Sequence, residues 1–249
     1  MTRSAAFFDL DRTLIRGSAT FPLAVSAFRA GWMPPQELLG DVINAVKFMV
    51  RGSSDEGSVA VRERVLRGVA GRPVAELEAQ ADHFVPKLAE GVLPESRKLL
   101  AEHAARGDDR IVVSASPQEI VIRLAEHLGL EGAVGTRSEI VDGKFTGRLA
   151  GAFCYGEGKV TEIRRLADER GYDLALCTAY SDSMSDLPFL LSVGTPVAVN
   201  PDRELRALAR VHGWTIVEVR GGRPSVSLPF PLPMSIAQAR WWPFRRDAA

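Results

Sequence analysis

Short apolar runs alternate along the chain with stretches whose apolar positions recur every three or four residues. The runs are residues 5–10, 110–114, 174–181, 196–200 and 215–219. Continuous apolar strands are buried on both faces, as in a parallel sheet with helices on either side. Between them, residues 94–106, 116–127 and 158–170 have helical spacing and stop at or near Gly107, Gly129 and Gly171. The fold class this predicts is α/β, a doubly wound, Rossmann-like parallel sheet.

Two segments break the rhythm. Residues 17–91 separate the first two strands and read as wholly helical, over 22–30, 35–51, 54–70 and 74–89. That exceeds one crossover helix, so the segment is expected to be an inserted helical cap, with joints near Gly17 and Gly91. Residues 139–149 flank Asp142-Gly143 with two short extended runs, a hairpin signal. The predicted organisation is a core of residues 1–16 and 92–220, a cap of 17–91 and a tail of 221–249. Five of the fifteen prolines lie in that tail, which discourages a packed element. Its Arg240-Trp241-Trp242-Pro243-Phe244-Arg245-Arg246 segment also suits a membrane surface or a partner.

Composition narrows the function. Of the 249 residues, 46% are hydrophobic and 25% charged, which is globular usage. Lys plus Arg number 31 and Asp plus Glu number 31, so nothing points to nucleic acid as a partner. No signal peptide or membrane span is legible, and Cys154 and Cys177 read as reduced thiols of a cytoplasmic protein. The four histidines, at 83, 103, 127 and 212, lack zinc-site spacing and read as surface positions on helices.

The chemistry concentrates at strand ends. Asp9-Leu10-Asp11-Arg12-Thr13 follows the first strand directly. Two carboxylates at the carboxyl edge of a buried strand are unfavourable unless they meet a cation, and Mg²⁺ is the natural one. Asp182 and Asp186 follow the third run, and a parallel sheet brings Asp9, Asp11 and Asp182 to one edge. Ser114 ends the second strand where backbone N–H groups suit an oxyanion, and Lys159 opens a helix with a point charge for a phosphoryl oxygen.

In this order the residues resemble the four motifs of the haloacid dehalogenase-like hydrolase superfamily. The insert after the first motif resembles subclass I caps. Residues 112–116 and 141–147 resemble the subclass IB branch, which includes phosphoserine phosphatases. The resemblance covers about residues 5–212. It implies that Asp9 is the nucleophile and Asp11 the acid/base. It implies Mg²⁺ on the carboxylates of Asp9 and Asp182 and the backbone carbonyl of Asp11. Ser114 and Lys159 would hold the phosphoryl group, and Asp186 would orient Lys159 or support the metal from behind. An acid at position 11 favours phosphatase over dehalogenase chemistry.

Substrate residues match less well. Where phosphoserine phosphatases carry a Glu for the substrate ammonium, this chain has Ser18. Arg62-Glu63-Arg64-Val65 resembles the family's cap word and makes Arg64 the candidate for a substrate carboxylate. The Ser-Gly-Gly word is Ser114-Ala115-Ser116, and Ser185 stands for Asn. The expected activity is Mg²⁺-dependent hydrolysis of a small phosphorylated metabolite. Phosphoserine, histidinol phosphate, phosphocholine-like head groups and lysophospholipid phosphates stay open. So do transfer to an acceptor alcohol and a non-enzymatic metal-binding module that uses the tail.

Overall fold

All five residues of the first strand are buried, and they alternate between two apolar clusters. Ala6 and Phe8 face one, Ala5 and Phe7 the other. A strand packed on both faces is central, and the computed structural model places it so. The structure describes residues 3–32 and 55–219. The expected helix over 35–51 and the tail lie outside them.

Among the described residues the strands are β1 (Ala5–Asp9), β2 (Asp109–Pro117), β3 (Gly132–Thr136), β4 (Ser138–Val141), β5 (Lys144–Leu149), β6 (Thr178–Ser181), β7 (Thr195–Val199) and β8 (Thr215–Val217). Six of these make a parallel sheet in the order β3-β2-β1-β6-β7-β8, while β4 and β5 pair antiparallel. The helices are α1 (Thr20–Arg29), α2 (Asp55–Val69), α3 (Val74–Glu90), α4 (Pro94–Arg106), α5 (Gln118–His127), α6 (Glu157–Arg170), α7 (Leu187–Leu191) and α8 (Arg203–Val211). Leu100 of α4 and Ile120 and Leu124 of α5 cover one sheet face. Ile163 of α6, Phe189 of α7 and Leu205 of α8 cover the other. The doubly wound α/β class is therefore the observed one.

Several boundaries differ from expectation. The run 174–181 is a strand only from Thr178, because residues Leu174–Leu176 form a 3-10 turn. The Asp173 side chain caps that turn by accepting from Ala175 N at 3.0 Å. The helix expected from Ser116 begins at Gln118, since β2 stays extended through Pro117. Strand β3 and helices α7 and α8 had no prediction. In β3, Gly-Ala-Val-Gly-Thr carries little apolar bulk, because α5 lies against it. A Cβ at Gly135 would fall 2.8 Å from Gln118 Cα.

The insert is stitched to the core. Leu77, Ala81, Phe84 and Leu88 of α3 share one cluster with Ile120, Val121 and Leu124 of α5. The β4–β5 hairpin grips the α2–α3 turn: Gly71 N donates to Phe145 O at 2.7 Å, Phe145 N to Arg72 O at 3.0 Å and Val74 N to Gly143 O at 3.0 Å. Where the chain crosses between core and insert, Ile15 and Val92 form an antiparallel bridge.

Both cysteines are buried and unbonded. His103 corrects the surface reading of the histidines, being 1% exposed on α4. Its Nε2 lies 2.7 Å from Tyr180 Oη and its Nδ1 2.7 Å from Asp108 Oδ2. Among the described residues no helix is long and apolar enough to cross a membrane.

Candidate active site

Parallel register brings the candidate residues together. Asp9 ends β1 opposite Val113 of β2, and Phe8 pairs with Tyr180 of β6. Ser114 and Asp182 therefore flank Asp9 at the carboxyl edge. Beyond β1 the chain folds back at once, with Leu14 N and Ile15 N both donating to Leu10 O at 3.0 Å. Arg12 takes a left-handed conformation, φ 60, and its N–H donates to Gly17 O at 2.9 Å. This compact turn presents Asp11 beside Asp9.

Lys159, in the first turn of α6, is buried and reaches the same edge. Its Nζ lies 2.6 Å from Asp9 Oδ1 and 2.7 Å from Asp186 Oδ2. Ser181 Oγ donates to the same Asp186 oxygen at 2.6 Å. Asp186 thus orients the lysine. Burial opposes the Lys159 charge, but Asp186 and Asp9 outweigh it and hold the ammonium above its ordinary value. Burial pushes the Asp9 carboxyl up to about 7, against the pull of Lys159.

Asp11 is held separately. Its Oδ1 accepts from Ala19 N at 2.8 Å and its Oδ2 meets Ser18 Oγ at 2.9 Å. Burial raises the Asp11 carboxyl more than these donors lower it, which favours a proton there. Ser18, expected at the substrate, is joined to Asp11 by that bond. Ser114 is buried, and its Oγ accepts from Ser116 N at 3.1 Å. Arg64 lies on α2 with its Nε buried, and Arg62 on the same helix sets its guanidinium 5.2 Å from the Phe153 ring centroid.

Two participants had escaped notice. Arg12 Nη2 meets Asp182 Oδ2 at 2.7 Å. Asp202 clamps the loop after β6: its Oδ2 accepts from Met184 N at 2.7 Å, and its own N–H donates to Asp182 O at 2.8 Å. The signal for Arg12 was its place inside the first motif. That for Asp202 was an acid one residue before a helix, the ordinary N-cap pattern.

The donor set suits Mg²⁺. Asp9 and Asp182 are buried hard-oxygen groups, and burial raises the Asp182 carboxyl well above its ordinary value despite Arg12. Such crowding of acids is what a divalent cation relieves. Among the described residues no three His, Cys, Asp or Glu side chains close on one point. Mg²⁺ needs only one or two carboxylates and keeps its waters.

A carboxylate braced by an ammonium at the carboxyl edge of a doubly wound α/β sheet is equipped to take up an electrophilic group. The family profile described as haloacid dehalogenase-like hydrolase matches residues 6–191, and the chain belongs to that family. The phosphoserine phosphatase SerB1 of Mycobacterium tuberculosis is 38% identical over 238 residues, covering 95% of this chain and 77% of that protein. A histidinol-phosphatase of Neisseria meningitidis is 29% identical, covering 88% of this chain and all of that protein. A Bordetella pertussis crystal structure of unknown function superposes with a TM-score of 0.74 at 27% identity, covering 88% of this chain and 100% of that one. Within its family the chain is an enzyme of the phosphatase kind.

Proposed function

We propose that the enzyme is a Mg²⁺-dependent phosphomonoesterase acting on a small phosphorylated metabolite through an aspartyl-phosphate. The observation that carries this is the division of labour between two buried aspartates. Asp9 is paired with the Lys159 ammonium, while Asp11, on the turn beside it, is held instead by Ser18 Oγ and Ala19 N; burial raises both carboxyls. One is kept as a nucleophile and the other as an acid.

The residues would act as follows. Asp9 attacks phosphorus in line with the ester oxygen, forming an O–P bond as the P–O bond to the alcohol breaks. Asp11 gives its proton to the departing oxygen. The Asp11 carboxylate then takes a proton from water as that water attacks phosphorus, which frees Asp9 and releases phosphate. Lys159 and Ser114 hold the phosphoryl oxygens throughout. Asp9, Asp182 and the Asp11 carbonyl would hold Mg²⁺, which supplies charge neutralisation between the carboxylate and the phosphate.

The substrate class rests on the relatives named for phosphoserine and histidinol phosphate, both small esters. The insert would act as the cap that excludes larger ones. Two buried thiols without a bridge agree with a cytoplasmic setting. Phosphate release from a panel of small phosphomonoesters, with and without Mg²⁺, tests the reading beside Asp9→Asn. Magnesium-dependent release lost in that variant is expected. Release that survives Asp9→Asn would overturn the nucleophile.

A further inference from the structure

The loop before α6 carries two aromatic residues for which the chemistry above has no task. Phe153 and Tyr155 stack, with ring centroids 5.7 Å apart and 20° between their planes. Cys154, between them, turns inward and is fully buried. Both rings therefore stand on the outer side of the loop.

That loop is fixed and close to the reacting groups. Ala152 N donates to the buried Glu162 Oε1 at 3.2 Å, and Arg137 Nη2 meets the same oxygen at 3.1 Å. Cys154 N donates to Thr136 Oγ1 at 3.3 Å, which in turn donates to Ala115 O, beside Ser114, at 2.7 Å. A Cβ at Gly158 would lie 1.7 Å from Phe153 O, so glycine alone lets the loop close on the turn that carries Lys159. The Cys154 thiol, pushed up to about 12 chiefly by burial, also feels Lys159, Asp186 and Asp9.

From the cap side, Arg62 lays its guanidinium over Phe153. Arg62, Leu66 and Val69 follow one face of α2, and the latter two are buried. Arg64, two positions on, is turned by about 200° around the helix. The face of α2 that carries Arg62 thus looks on the Phe153 loop.

We propose that Phe153 and Tyr155 form a shelf at this mouth that selects phosphate esters whose alcohol carries a flat, unsaturated ring. The inference rests on the phosphatase reading and names its substrate class. The Arg62 guanidinium is a planar group already stacked on Phe153, and it marks where a flat ring binds. An arriving ring takes that place, while Arg62 keeps the Glu63 carboxylate that its Nη2 already meets at 2.6 Å. Stacked rings attract beyond their buried area, which saturated rings of equal size do not.

The test pairs benzyl phosphate with cyclohexylmethyl phosphate for turnover by the Mg²⁺-loaded enzyme. It pairs the two corresponding phosphonates, which cannot be hydrolysed, for calorimetric binding. The shelf predicts about three- to tenfold tighter binding and lower KM for the benzyl member. Phe153→Leu brings both ratios to about one, Phe153→Tyr keeps them, and Tyr155→Leu lowers them. Equal binding of the two phosphonates by the wild type would overturn the shelf, as would a preference that survives both leucine variants. Preferential binding with no phosphate release would keep the shelf and sink the phosphatase reading. Release without preference would do the reverse.

Discussion

Arg12 and Asp182 meet at 2.7 Å across the sheet edge, the arginine from the turn after β1 and the aspartate from the loop after β6. The guanidinium lowers the Asp182 carboxyl against its burial and so takes the part of a cation there. A metal that binds Asp182 has to displace or share it. Arg12→Gln is expected to tighten Mn²⁺ binding by about two- to fivefold, the scale of one partly exposed ion pair. Electron paramagnetic resonance of free Mn²⁺ reads this directly. Weaker binding in the variant would mean that Arg12 supports the metal.

Asp9 gives the site a pH signature. In the unfolded chain its carboxyl titrates near 3.8, and in the folded protein at about 7. The metal-free folded form therefore binds more protons between those values. Its stability from this group is present below about 4 and declines as pH rises through about 7. Mg²⁺ replaces the proton, so stabilisation by millimolar Mg²⁺ should grow from pH 5 to pH 8. Asp9→Asn should flatten that growth in thermal melts. An equal Mg²⁺ effect at both pH values would contradict the assignment.

His103 has the opposite sign. Burial lowers it despite Asp108, so it stays neutral when folded and charges when unfolded. Its contribution is present above about 6.5 and is lost as pH falls. His103→Ala opens a cavity and removes the hydrogen bonds to Tyr180 Oη and Asp108 Oδ2, while Asp108 keeps Ser4 Oγ and Arg106. The expected loss is about 2–4 kcal/mol in urea unfolding at pH 7. Unchanged stability would show that the Tyr180–His103–Asp108 chain is incidental.

Asp202 touches no reacting group, yet it binds the backbone on both sides of Ser183. Asp202→Ala should release the Asp182 loop and weaken Mn²⁺ affinity by about tenfold or more, as removal of a ligand's supporting partner does. Asp202→Asn should restore part of it. If the alanine variant lowers only the melting temperature and leaves Mn²⁺ affinity intact, the clamp serves the fold alone.

The reacting carboxylates were legible because strand-end aspartates have few other uses. Asp9, Asp11 and Asp182 could be brought to one edge from apolar runs and parallel order, and Asp186 was added by the family resemblance. The partners that tune them were not. Arg12 carried no reading of its own, because nothing local reveals the left-handed turn that aims it at Asp182. Strand β3 was invisible because its glycines exist to let α5 approach, a tertiary demand with no periodic trace. His103 looked like a helix-surface histidine because nothing local reveals that Tyr180 and Asp108 close over it. Ser18 was assigned from its distance along the chain from Asp9, and that spacing does not tell which way a hydroxyl points.

The hairpin that grips residues 71–74 and the Ile15–Val92 bridge have a mechanical consequence. The insert is a beam built in at two supports, with α3 bonded along its length to α5. A rigid swing about two glycine joints would break three backbone hydrogen bonds and split one apolar cluster. Among the described residues, a motion of the insert that spares these contacts has to bend α2 or α3 instead of turning them as rigid bodies.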